Sequence, residues 1–189
     1  GMFFATVFTA SNIAQEKDRK TLILLLMTDL RNHELVVGKL LASLLIVGVL
    51  LTTSLPVFCF LRLLGGITWS QILWAEAVVG AAALAAGCWG CFVAFWRDKT
   101  FQTLAISVLG IVLFVFVAHG LGAVVTPSLA LASPYAGLID VLDPLSGGKL
   151  GAVVISALPT VAVLLSVSIV LSIVTITQLR RWNPSKEMH

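Results

Sequence analysis

Charge is scarce in this sequence. Asp, Glu, Lys and Arg make up 11% of the 189 residues, against roughly 25% in an ordinary soluble domain. Hydrophobic residues make up 59%, and mean hydropathy is +1.05. One soluble core of this size cannot enclose that much apolar surface. A soluble domain is therefore excluded, and the expected fold is all-α, a polytopic transmembrane helix bundle. Cysteine is scarce too, with three residues, Cys59, Cys88 and Cys91. No disulfide framework follows from them. Cys88-Trp89-Gly90-Cys91 has the spacing of a redox motif, but thiolate chemistry needs an accessible, electropositive setting. Inside an apolar run the pair reads as two small residues on one helix face. No G-x-x-x-x-G-K-[ST] loop is present, so the chain offers no P-loop for ATP. His33, His119 and His189 are far apart, and no H-E-x-x-H or paired C-x-x-C occurs, so no metal is expected. No G-x-S-x-G elbow occurs either. The expected surface partner is the lipid bilayer, with no nucleic acid.

The charge that is present is concentrated. Five of the twelve Lys and Arg lie between Lys17 and Lys39. This stretch, residues 13–39, interrupts two apolar runs and must lie in water at a membrane face. Met2 to Ala10 is apolar but too short to span, since a span needs about 20 residues. It has no basic n-region and no small-residue cleavage site, so it is a poor signal peptide. Residues 1–12 are expected to be the end of a membrane helix that begins before residue 1. Four complete spans are expected at about 40–61, 72–95, 102–125 and 151–177, within a transmembrane region 40–181. The first holds 22 residues without a charge, about 33 Å of helix against a hydrocarbon core of about 30 Å. Pro56 should kink it. Arg62 should snorkel at the far interface, Trp69 should anchor there, and Ser70 is a candidate cap for the next helix. The second span is rich in Ala and Gly, so it should sit centrally, where small residues let backbones approach. Residues 128–150, with two prolines and a Gly147-Gly148 pair, are expected to form short re-entrant helices at the outer face. Residues 182–189 are a polar stub.

Orientation follows from counting. Placing 13–39 inside puts Lys17, Arg19, Lys20, Arg31, Lys39, Arg97, Lys99, Arg180, Arg181 and Lys186 in the cytoplasm. Only Arg62 and Lys149 lie outside. Ten against two is a marked positive-inside bias. The C-terminus is then cytoplasmic and the location is the cell's inner membrane. Within the spans, Glu76 is a functional hypothesis by position alone; the plainer reading pairs it with Arg62 near the interface. His119 suits a helix–helix hydrogen bond. Asp140 and Asp143 are either paired carboxylates or a solvated, capping face.

The sequence from Ile13, I-A-Q-E-K-D-R-K-T-L-I-L-L-L-M-T-D-L-R-N-H-E-L-V-V-G-K-L-L-A-S-L-L, resembles the first cytoplasmic loop of the ABC-2 family of transporter permeases. That loop follows the pattern E-K/R-E-x-G-T-L-E-x-L-L-x-T-P-L-S-x-x-E-I-x-x-G-K-x-L. Glu16, Lys17, Thr21, Leu22, Leu25, Leu26, Thr28, Leu30, Glu34, Gly38, Lys39 and Leu41 match it, and Asp18 stands where Glu is usual. Lys20, Asp29 and Arg31 depart from it, in place of Gly, Pro and Ser. Asp29 can cap the following helix in place of the missing capping box.

The resemblance implies a type V exporter-like permease with six membrane helices, an ABC ATPase subunit as partner, and a second permease half, identical or homologous. ATP would bind to the partner, and transport would be export. It further implies a coupling role for this loop. Glu16, Lys17, Asp18 and Arg19 would form salt bridges at the joint. Leu22, Ile23, Leu26 and Leu30 would pack the hinge, with a break at Thr28-Asp29, and Thr21, Glu34 and Lys39 belong to the same coupling set. Arg97 and Lys99 fall where the family has a second, shorter contact. Competing readings are a plain lipid-binding loop, an intramembrane enzyme or secondary transporter using Glu76, His119 or Asp140, and a non-transporting scaffold subunit.

Overall fold

The computed structural model describes residues 2–18, 32–65, 67–97, 99–124, 133–142 and 150–182. Among them are six helices and no strand: α1 (Met2–Asp18), α2 (Asn32–Leu63), α3 (Trp69–Trp96), α4 (Thr100–Val124), α5 (Pro134–Leu142) and α6 (Leu150–Trp182). The fold is an all-α bundle. Four segments are long and apolar enough to cross a membrane: Val36–Leu63, Trp69–Trp96, Thr100–Ala118 and Ala157–Gln178. Helices are the form this composition permits, because hydrocarbon offers backbone amides no partner outside the segment itself.

The bundle is built around α3. Of its most apolar window, 72% is buried, against 6%, 17% and 22% for the other three spans. Its run of Ala and Gly explains this: helices in lipid gain little from the hydrophobic effect and associate through close packing. At Gly90 an added Cβ would lie 2.8 Å from the Thr6 carbonyl oxygen and 3.3 Å from Thr6 Cα. The backbones of α1 and α3 therefore touch. The Thr6 hydroxyl donates to Ala86 O at 3.2 Å and to Met2 O at 3.0 Å, tying the same crossing. On another face, Trp89 lies flat in the notch left by Gly110, where a Cβ would fall 2.5 Å from its ring. Its indole N–H donates to Ser107 O at 3.2 Å, so α4 is held by shape and by one polar contact. At the opposite end Gly137 of α5 meets Thr160 of α6 in the same manner, at 2.8 Å. Cys88 and Cys91 are both buried in the packing between helices, as small residues on one face; Cys88 Sγ lies 3.4 Å from Ser172 Oγ.

The turn before α3 differs from expectation in one residue. Thr68, not Ser70, caps the helix. Thr68 is extended (φ −93°, ψ 159°) and forms a capping box with Gln71. Its hydroxyl accepts from Gln71 N at 3.4 Å, and Gln71 Oε1 accepts from Thr68 N at 3.0 Å. The helix starts at Trp69, so Ser70 is already inside it, and a cap must have a non-helical backbone. Gly65 turns the chain with φ +83°, a region open to glycine. Arg62 lies over the Trp69 ring at 4.4 Å.

α2 has 32 residues, about 48 Å of helix. That exceeds a hydrocarbon core of about 30 Å by some 18 Å, so its polar first turns stand clear of the apolar layer. The helix continues through Pro56. The hydroxyls of Thr52 and Thr53 donate to Gly48 O and Leu50 O at 2.9 and 2.7 Å, which satisfies them within the span; the Ser54 hydroxyl, 2.7 Å from Leu51 O, has one proton to share between that carbonyl and Glu76 of α3.

Candidate functional site

One end of the bundle collects the charged, water-facing pieces. α1 does not stop where the apolar run stops at Ala10. It continues to Asp18 and carries Glu16, Lys17 and Asp18 in helical backbone. α2 begins at Asn32 and carries Glu34 and Lys39. The turn Arg97–Lys99 joins α3 to α4. A buried cluster binds these pieces into one end: Ile13 of α1, Val36 and Leu40 of α2, and Cys88, Cys91, Ala94 and Phe95 of α3. Leu171 and Ile176 of α6 pack against it. Ile13 and Phe95 are fully buried, and Phe95 is the largest such side chain.

Both ends of the segment between α1 and α2 are therefore anchored in the same core. Arg19, Thr21, Leu22, Ile23, Leu26, Thr28, Asp29 and Leu30 lie outside the described residues, as do the side chains of Glu16, Lys17, Asp18 and Glu34. A further tie crosses from α1 to α2 just below the anchor, where Asn12 Nδ2 donates to Ser43 Oγ at 3.4 Å. Lys39 is half-buried and Lys99 is exposed. Arg97 N donates to Val93 O at 2.9 Å, closing α3, and its guanidinium lies over the Trp96 ring at 4.4 Å. The stacking fixes Arg97 at the rim. Lys99 O accepts from Thr103 N at 3.0 Å and from the Thr103 hydroxyl at 3.1 Å, so the turn is pinned at its far side as well.

Ile13, Val36 and Phe95 do not stand out in the sequence as site residues. The signal for them is positional: each lies within three residues of a charged one, Glu16, Glu34 or Arg97, and all three come from helices that end at the same face.

Glu76 lies apart, in the half of α3 that begins at Trp69. Its partner is the Ser54 hydroxyl of α2, not Arg62, which the Trp69 ring holds instead. Asp140 is exposed on α5; Asp143 and the side chain of His119 lie outside the described residues. Among the described residues no group of three or more His, Cys, Asp or Glu gathers as metal ligands would.

A family model described as ABC-2 family transporter protein matches residues 1–145. The match takes in α1 to α5 and the whole of the segment 13–39. No curated protein and no solved structure matches the chain. With three apolar spans around a fourth, small-residue one, a charged end anchored in one core and this family match, the chain belongs to the ABC-2 transporter family, as a membrane-spanning permease of an ATP-binding-cassette transporter.

Proposed function

We propose that residues 13–39 dock on a separate ATPase subunit and carry its movement into the bundle, so that ATP hydrolysis on the partner drives export across the inner membrane. The observation that carries this reading is the shared anchor. Ile13, Val36 and Phe95 meet in one buried cluster, so force applied to the segment between α1 and α2 reaches α3 through packed side chains. Packed interfaces of this kind shift as rigid bodies between discrete arrangements and do not stretch. The α1–α3 backbone contact at Gly90 adds a second, stiff link. Arg97 and Lys99, at the turn on the same end, supply the shorter second contact. Glu16, Lys17, Asp18 and Arg19 form the charged joint, where pairing sets orientation and partner choice more than affinity. A second permease half, identical or homologous, completes the pathway. The C-terminus lies on the cytoplasmic side with the segment 13–39.

The test is co-purification with an ABC ATPase subunit co-expressed with this chain. Replacing residues 16–34 with a polar linker of equal length should abolish the complex while the permease still inserts. An undiminished complex would refute the docking role.

A further inference from the structure

We propose that a cavity in the outer half of the bundle is a binding site for an amphipathic organic cation, with Glu76 as its counter-charge. The cavity has a volume of about 380 Å³ and lies between α1, α2, α3 and α5. That is within the range of small-molecule sites, which are mostly apolar with a few placed polar groups. Phe4, Leu51, Phe58 and Leu138 line it, and its polar side chains are Ser54 and Glu76.

Glu76 is the one Asp or Glu within the four spans. It lies seven residues past the start of α3 at Trp69, about 10 Å along the helix. A carboxylate at such a position is destabilising in lipid by up to a few kcal/mol and marks a substrate or ion path by default. Its partner among the described residues is one hydroxyl, from Ser54. Arg62, the nearest basic residue in the sequence, is held by Trp69. A Glu side chain presents two oxygens, so one hydroxyl leaves most of its hydrogen-bonding capacity to whatever enters the cavity. The ligand chemistry follows from the lining. A positive charge meets Glu76, an apolar body meets the Leu and Phe side chains, and the rings of Phe4 and Phe58 add cation–π attraction.

This assignment names a substrate class for the transporter proposed above and rests on that reading. It is tested without ATP, so its failure leaves ATPase docking standing. The full chain, purified in detergent, is titrated with methyltriphenylphosphonium and with the neutral triphenylphosphine oxide. The cation should bind saturably and about tenfold or more tighter than the oxide. Glu76→Gln should weaken the cation about tenfold and leave the oxide unchanged, while Glu76→Asp retains part of the preference. Leu138→Trp fills the cavity without touching the carboxylate and should also abolish binding, which covers a failure of Glu76→Gln to fold. Equal affinity for the cation and the oxide, or an unchanged affinity in Glu76→Gln, overturns the proposal. Displacement of the cation by phosphatidylethanolamine assigns the site to a lipid headgroup and overturns it too.

Discussion

Gly90→Ala should weaken the bundle where Gly48→Ala does not. The added methyl at position 90 would lie 2.8 Å from the Thr6 carbonyl oxygen, with Thr6 Cα at 3.3 Å and Ala10 N at 3.4 Å. Ordinary contact begins at about 3.4 Å, so α1 must move away from α3 by about 0.6 Å. The obstacle is backbone, which cannot rotate aside as a side-chain end can. Overpacking of this sort costs about 1–3 kcal/mol. Both substitutions share the same gain in helix propensity, up to about 1 kcal/mol. Gly48 has nothing within 4 Å, so the difference between the two variants isolates the steric effect. Gly87→Ala should fall between them, because its nearest neighbour, at 3.1 Å, is the end of the Leu44 side chain. Thermal unfolding of the purified variants in one detergent is the assay. With about 2–4 °C per kcal/mol for a chain of this size, Gly90→Ala should melt several degrees below Gly48→Ala. Equal melting temperatures would refute backbone contact between α1 and α3.

Two further outcomes are expected. Phe95→Ala empties the centre of the cluster that anchors both ends of the segment between α1 and α2. Buried Phe→Ala changes cost about 3–5 kcal/mol, so this variant should unfold at lower temperature and retain less ATPase, while Phe95→Leu loses much less; an unaffected complex would remove the anchor from the account. Maleimide should label Cys59, which is half-buried, well before the buried Cys88 and Cys91, and reductant should leave the complex unchanged; rapid labelling of Cys88 or Cys91 would revive the redox reading.

How far the sequence reaches depends on the kind of force involved. The central place of α3 was legible, because Gly80 to Gly90 pack by size, and size is written in the residue type. The pairing of Cys88 and Cys91 as small residues on one face was legible for the same reason. The family was legible because Thr21, Glu34 and Lys39 stand at fixed spacings. Four features were not. α1 runs on to Asp18 because a helix does not have to end where it leaves lipid; charge tells where the water begins, not where hydrogen bonding stops. Thr68 caps α3 in place of Ser70 because two hydroxyl residues compete within three positions, and only backbone angles separate them. Ser54, not Arg62, meets Glu76 because the choice depends on which faces of α2 and α3 meet, and Trp69 had already engaged the arginine. The cluster of Ile13, Val36 and Phe95 was hidden for a related reason: its members come from three helices and no local pattern links them.

The central claim is that the ATPase docks on the segment between α1 and α2. A photo-cross-linking residue placed at Leu22 or Leu26 tests it most directly, with Leu64, on the turn at the opposite end of α2, as control. Cross-links to the ATPase from positions 22 and 26, and none from 64, are the predicted result. Absence of cross-links from both segment positions, in a complex that still hydrolyses ATP, would contradict the account.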